Sequence, residues 1–170
     1  MKLHIGGEQI KEGWKILNIQ KKPGVDFVGD ITDLSQFLDE SIEEVYASHI
    51  LEHVSFLKMQ NIFNEVFRIL KKGGEFFISV PDLEVMTRIF LEEKEPAYKI
   101  QIMKFIYGGQ IDEFDFHKSG FWEDLVLNFL KISNFKKYKR VKFFEDKFSD
   151  TSQLTYKGIA LSLNIVALKE

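Results

Sequence analysis

The residues best equipped for chemistry gather in three places. His49-Ile50-Leu51-Glu52-His53 sets two imidazoles around a carboxylate; His117 lies in a stretch mixing acidic and aromatic residues; and Gly6-Gly7 follows the first apolar run. Imidazole exchanges protons near neutral pH and is the commonest general base. H-x-x-E-H is also the pattern of the inverted zinc peptidases, in which two histidines one helical turn apart bind the metal and the glutamate activates water. That chemistry needs a helix through all five residues and a further ligand. Here the motif begins where the strand-like run EEVYA ends, so no metal site is expected. A glycine pair after a first strand lets the backbone approach a nucleotide closely, and it serves an ordinary hairpin equally well.

Elements must position these residues, and composition bounds what they can be. The chain has 170 residues, 45% hydrophobic and 14% aromatic, enough for one core and one domain spanning 1–170. A formal net charge of -3 argues against a polyanionic partner, so nucleic acid is not expected. The basic run Lys136-Lys137-Tyr138-Lys139-Arg140 is short and reads as a solvated element end. With no cysteine there is no disulfide, no thiolate metal site and no cysteine nucleophile. No leader-like segment opens the chain and no window reaches the length of a membrane span, which predicts a cytoplasmic protein with no membrane partner.

Periodicity and punctuation predict strands at Lys2–Ile5, Trp14–Ile19, Asp26–Gly29 and Glu43–Ala47, then a helix over Leu57–Leu70 closed by Lys71-Lys72-Gly73. EFFISV, Glu75–Val80, is a buried strand. Pro81-Asp82 starts a helix running to Leu91, Ala97–Ile106 is helical until Gly108-Gly109 stops it, and Phe121–Ile132 is an amphipathic helix. Strands at Lys139–Phe144 and Ile159–Leu168, with no helix between them, predict an antiparallel hairpin at the sheet edge. The class is α/β, a mainly parallel sheet between helices. Between Gly6 and Trp14 there is no room for a helix. Seven extended residues reach about 23 Å, enough to return along a strand of roughly 17 Å, so a parallel pair and a hairpin both stay open.

In order, KLHIGG, GWKILNI, VGDITDL, ASHILEHV, EVFRILKKGGEFFISVPDLEVM and the closing strand LSLNIVALK resemble the class I S-adenosylmethionine (SAM)-dependent methyltransferases, and in particular the small type-11-like members whose first helix is reduced to a loop. The resemblance covers nearly the whole chain. It implies a Rossmann-like seven-stranded sheet, parallel except for its last strand, with helices on both faces and SAM as cofactor. It also implies that Gly6 and Gly7 pass under the cofactor, that Asn18 takes the place of the acidic residue that bonds the ribose, and that Asp30 and Ile31 hold the adenine. Ser48 and His49 would flank the methionine portion. Two departures stand out. Glu8 falls where the family usually has another glycine, and Asn18 is a neutral acceptor.

Methyl transfer needs a base when the acceptor is a hydroxyl or a protonated amine. His117, then His53, then Asp82 are the candidates. The segment 107–120 is expected to form a lid over the substrate, Gly108-Gly109-Gln110 reads as a plain helix stop, and His4, alternating with apolar neighbours, as a structural histidine. A small-molecule acceptor, a sugar or another metabolite, is expected in a chain with no added recognition domain. The alternatives are a non-catalytic cofactor-binding or interaction module that keeps the fold, and a nicotinamide dehydrogenase, disfavoured because no full G-x-G-x-x-G precedes a helix. The sequence does not fix the oligomeric state.

Overall fold

In the computed structural model, which describes residues 1–170, the centre of the molecule is the strand built around EFFISV. This strand, β5 (Leu70–Pro81), pairs in parallel with β4 (Ile42–Ser48) and antiparallel with β9 (Ser162–Leu168). β1 (Lys2–Ile5) lies beside β4, and β2 (Trp14–Asn18) and the short β3 (Phe27–Val28) extend the sheet outward. On the far side β6 (Lys137–Val141) pairs antiparallel with β9. The order is therefore β3-β2-β1-β4-β5-β9-β6, seven strands with only β9 running against the others. Because β1 and β2 are parallel neighbours, the hairpin alternative is excluded, and residues 7–13 return along the sheet without a helix.

Alternation along the central strands sends side chains to two different covers. Val45, Ala47, Phe76, Ile78 and Val80 face α1 (Met59–Ile69) and α4 (Glu123–Ile132), where Ile62, Phe63, Val66, Phe129 and Leu130 complete the main core. Tyr46, Phe77, Trp14 and Val166 face the other way, onto Phe144 and Phe148. Phe148 packs 4.8 Å from Tyr46 and 5.1 Å from Trp14 between ring centroids. Burying rings of this size contributes about 1.5–3 kcal/mol each. The helix missing between β1 and β2 is thus replaced by an aromatic segment from the end of the chain. Polar ties fasten the two: Gln9 Nε2 donates to the Ser149 carbonyl at 2.8 Å, and Lys11 Nζ to the carbonyls of Asp146 and Lys147.

The remaining cover on that face is α2 (Leu83–Glu92) with α3 (Pro96–Tyr107), packed through Met86, Ile89, Ile102 and Leu161. Asp82 caps α2, its Oδ1 accepting from the Val85 amide at 3.1 Å. No helix is long and apolar enough to cross a membrane.

Several boundaries differ from those expected. The run Lys71-Lys72-Gly73 does not close α1. Leu70 is already extended, and Gly73, at φ 77°, and Gly74 carry the chain into β5 beside Glu43, where a Cβ on Gly74 would meet the carbonyl oxygens of Lys71 and Glu43 at 2.8 and 3.0 Å. Phe56–Lys58 is a 3-10 turn, so α1 starts at Met59. The hairpin of the last two long strands exists, but β9 is interior and only β6 is at the edge. Ile159–Leu168 is interrupted at Leu161, whose amide donates to the Leu154 carbonyl, leaving a separate small ladder of β7 (Thr155–Tyr156) and β8 (Ile159–Ala160).

Candidate active site

β1, β2 and β4 run side by side in parallel, and the turns after them build the site, as expected for a sheet of this type. After β1, Gly6 adopts φ 74°, and a Cβ there would lie 2.0 Å from Ile50 Cδ1. Only glycine fits both the conformation and the space. A Cβ on Gly7 would lie 2.3 Å from His4 Nδ1. After β4, His49 takes the left-handed conformation, φ 53°, unusual outside glycine. This sharp exit throws Ile50 over Gly6 and leads into the 3-10 turn Leu51–His53.

Two cavities of about 560 Å³ each open at this end of the sheet and share Gly6, Glu8, Ile50, His53 and Asp115. The first is lined by Asn18, Gly29, Asp30 and Ile31. Its polar groups are held by backbone. Asn18 Nδ2 donates to the Gly7 carbonyl at 3.2 Å and its Oδ1 accepts from Gln20 N at 2.9 Å, while Asp30 Oδ1 accepts from Thr32 N at 2.8 Å. Asn18 therefore locks the glycine loop as well as lining the cavity. Glu8 pairs with Lys22 at 2.5 Å, so its carboxylate is compensated within the protein. The size suits a small-molecule ligand.

The second cavity is lined by Ser48, His49, Glu52, His53, Met86 and His117 among others. Glu52 is fully buried. His49 Nδ1 lies 3.1 Å from Glu52 Oε1, within ion-pair range but off the angle of a hydrogen bond, so neither carboxylate oxygen is hydrogen-bonded. Burial pushes the Glu52 carboxyl up, but His49 and His53 outweigh it and hold it below the usual range. His49 Nε2 meets Ser162 Oγ at 2.9 Å. His53 and His117 stand perpendicular, ring centroids 4.8 Å apart. Their Nδ1 atoms lie 3.3 Å from the Phe116 carbonyl and 3.1 Å from the Ile106 carbonyl. A carbonyl only accepts, so each Nδ1 carries hydrogen and each neutral ring keeps its lone pair on Nε2. Burial, with the nearby His53 and His49, lowers the His117 pKa against the opposing pull of Glu52.

His117 reaches the site because the segment 107–120 is fastened there. His117 N donates to the Tyr107 carbonyl at 3.1 Å, closing a loop in which Gly108 passes so near Asp115 that a Cβ would meet its carbonyl at 2.0 Å. Lys118 N and Ser119 N then donate to the Glu52 carbonyl at 2.7 and 3.1 Å, and Ser119 Oγ to the Val54 carbonyl at 2.8 Å.

Of the residues singled out from the sequence, Gly6, Asn18, Asp30 and Ile31 line the first cavity; Gly6, Gly7, Ser48, His49 and His117 line the second; and His53 lines both. Asp82 lies outside both. Its carboxylate caps α2 and bonds Arg140 Nη2 at 2.7 Å, and Arg140 continues to Glu123 at 2.8 Å. Sequence reasoning gave Glu52 a role only within the rejected zinc motif, although H-x-x-E-H itself was the signal.

Residues 4–78 match the sequence model of the family described as "Methyltransferase domain". Among solved structures, a SAM-dependent methyltransferase from Archaeoglobus fulgidus is 16% identical with a TM-score of 0.63, covering 98% of this chain and 85% of its own. One from Thermotoga maritima, described as a "possible histamine N-methyltransferase", is 20% identical with a TM-score of 0.63, covering 99% and 81%. A third, from Methanosarcina mazei, is 18% identical with a TM-score of 0.58, covering 98% and 91%. Nothing among curated proteins matches the chain.

Proposed function

We propose, from the fold and from the match of residues 4–78 to a methyltransferase domain, that this chain is a class I SAM-dependent methyltransferase and that it transfers the methyl group to a hydroxyl or amine of a small molecule held in the second cavity. The observation that carries the reading is the adjacency of two cavities of similar size, joined at Gly6, Ile50 and His53. Bound in the first, SAM supplies an electrophilic methyl on a sulfonium. Gly6, at the wall the two cavities share, lets the backbone approach it, Asn18 offers its remaining amide hydrogen to the ribose, and Asp30 and Ile31 line the first cavity in positions suited to the adenine.

Alignment does much of the work in such a displacement, and the common wall of the two cavities enforces it. The acceptor must also lose a proton. Burial helps keep the His117 imidazole neutral at pH 7, and the Nε2 lone pairs of His117 and His53 are the acceptors for that proton. His117 rides on the 107–120 segment, which lines both cavities. The net charge of -3 and the size of the second cavity favour a small metabolite over a nucleic acid. The Thermotoga maritima structure, described as a "possible histamine N-methyltransferase", is likewise read as acting on a small molecule.

The test is formation of S-adenosylhomocysteine over a panel of small alcohols, sugars, phenols and amines. Turnover on at least one, lost in His117→Ala with SAM binding kept, is expected. SAM binding without turnover on any acceptor would instead identify a cofactor-binding module.

A further inference from the structure

We propose that Glu52, His53 and His117 form a binding site for a divalent first-row transition cation, placed to hold the acceptor oxygen beside the cofactor cavity. Ligand atoms from the three side chains lie within 4.8 Å of one another. Metal–ligand bonds of about 2.0–2.2 Å made by imidazole and carboxylate set tetrahedral donors about 3.4 Å apart, so the three side chains close by up to about 1.4 Å on taking the ion.

Three independent features point to a cation. Glu52 is fully buried; His49 Nδ1 stands 3.1 Å from Oε1, and neither carboxylate oxygen is hydrogen-bonded. A buried carboxylate with a single imidazole beside it is costly to hold and is further stabilised by a cation. Both rings hold their Nδ1–H on backbone carbonyls, of Phe116 and Ile106, which fixes the tautomer with the Nε2 lone pair free. That outer hydrogen bond is the usual support of a metal-bound histidine. Finally, the segment bearing His117 is tied to the Glu52 carbonyl by Lys118 and Ser119, so the third donor is brought to the other two by backbone.

The zinc-peptidase geometry does not arise, because only Leu51–His53 is helical and His49 leans on Glu52 from the side instead of converging with His53. His49 is a positioning residue. It braces the carboxylate through Nδ1 and is itself held by Ser162. Two nitrogen donors and one oxygen favour zinc, cobalt, manganese or iron over magnesium or calcium, which take oxygen ligands.

The catalytic consequence rests on the methyltransferase reading and selects an oxygen acceptor; with the cation bound, the Nε2 lone pairs of His53 and His117 are its ligands, and the cation replaces the imidazole base in activating the acceptor. A hydroxyl held on the cation would lose its proton to solvent at lower pH. Its oxygen then forms the bond to the methyl carbon as the carbon–sulfur bond breaks, the pair staying on sulfur. The products are a methyl ether and S-adenosylhomocysteine, with no change of oxidation state.

Cobalt(II) is the probe, added to the full chain while visible absorption and SAM affinity are followed on the same sample. One equivalent of cobalt should raise a d–d band that zinc displaces and millimolar magnesium does not. His53→Ala and His117→Ala should each weaken cobalt binding by at least about 10-fold. Glu52→Gln should do the same if its melting temperature shows it folded, and His117→Ala, in a surface segment, keeps the test valid if it is not. A protein that binds SAM but gives no band with excess cobalt overturns the cation site alone. Undiminished binding in the His53→Ala/His117→Ala double variant also overturns it. Cobalt binding without SAM binding would keep the site and sink the methyltransferase reading.

Discussion

The two cavities have nearly the same volume and share a wall, yet they are built on opposite principles. In the first cavity the polar side chains are already engaged: Asn18 bonds Gly7 and Gln20, Asp30 bonds Thr32, and Glu8 pairs with Lys22. In the second several are not: Glu52 has no hydrogen bond, Ser48 Oγ is buried without a partner, and two imidazoles present Nε2 lone pairs. Turns at strand ends supply the polar side chains of the first, and residues 111–115 and 118 of the 107–120 segment line it as well. The second takes its donors from the turn after β4 and from His117 of that same segment, with buried polar atoms of Ser48 and Glu52 left without hydrogen bonds. The family match ends at residue 78, before the 107–120 segment that lines both cavities.

Substitutions can break this contrast in graded fashion. His117→Ala should have the largest effect, lowering kcat by about 10²–10⁴-fold while calorimetry finds SAM affinity unchanged. A parallel loss of SAM affinity would mean the two cavities are one site. Gly6→Ala sets a methyl group against Ile50 at a position with φ 74°, and SAM affinity should fall by at least about 100-fold. Asp30→Ala removes one charged acceptor, which costs about 10-fold in SAM affinity and leaves the acceptor KM alone.

A smaller effect sharpens the comparison from beneath the glycine loop. His4 is buried, stacks on Phe148 at 4.0 Å and has no partner for Nδ1. Burial lowers its pKa from 6.5 to about 4, against a partial opposing pull from Asp150. In the unfolded chain the ring takes up a proton below pH 6.5, whereas in the folded protein it does so only near pH 4. Its share of stability is therefore complete above 6.5 and declines by about 1.4 kcal/mol per pH unit between those values. Urea midpoints across that range should show this slope, and His4→Phe should flatten it.

Much of this architecture was legible because it rests on local signals. EFFISV reads as a strand buried on both faces, and it is an interior strand of the sheet, between β4 and β9. Gly6 could be singled out only once the order of motifs suggested the family, since a glycine pair after a first strand serves a hairpin equally well. The replacement of the first helix by Phe144 and Phe148 was not legible, since nothing near residues 7–13 reports what covers them from residues far along the chain. The surroundings of Asp82 were hidden for a related reason. A carboxylate at the end of a central strand suits catalysis and helix capping equally, and Arg140, which decides between them, is 58 residues away. The Glu52, His53 and His117 cluster fell between these cases: the motif was visible, but only the fold brings His117 to it.

The most direct test of the two-cavity account is a calorimetric titration of SAM into the wild-type protein, Asp30→Ala and His117→Ala. The account predicts micromolar binding, weakened about 10-fold by Asp30→Ala and unchanged in His117→Ala. Absence of binding at millimolar SAM by folded protein, or sensitivity to His117 with indifference to Asp30, would contradict it.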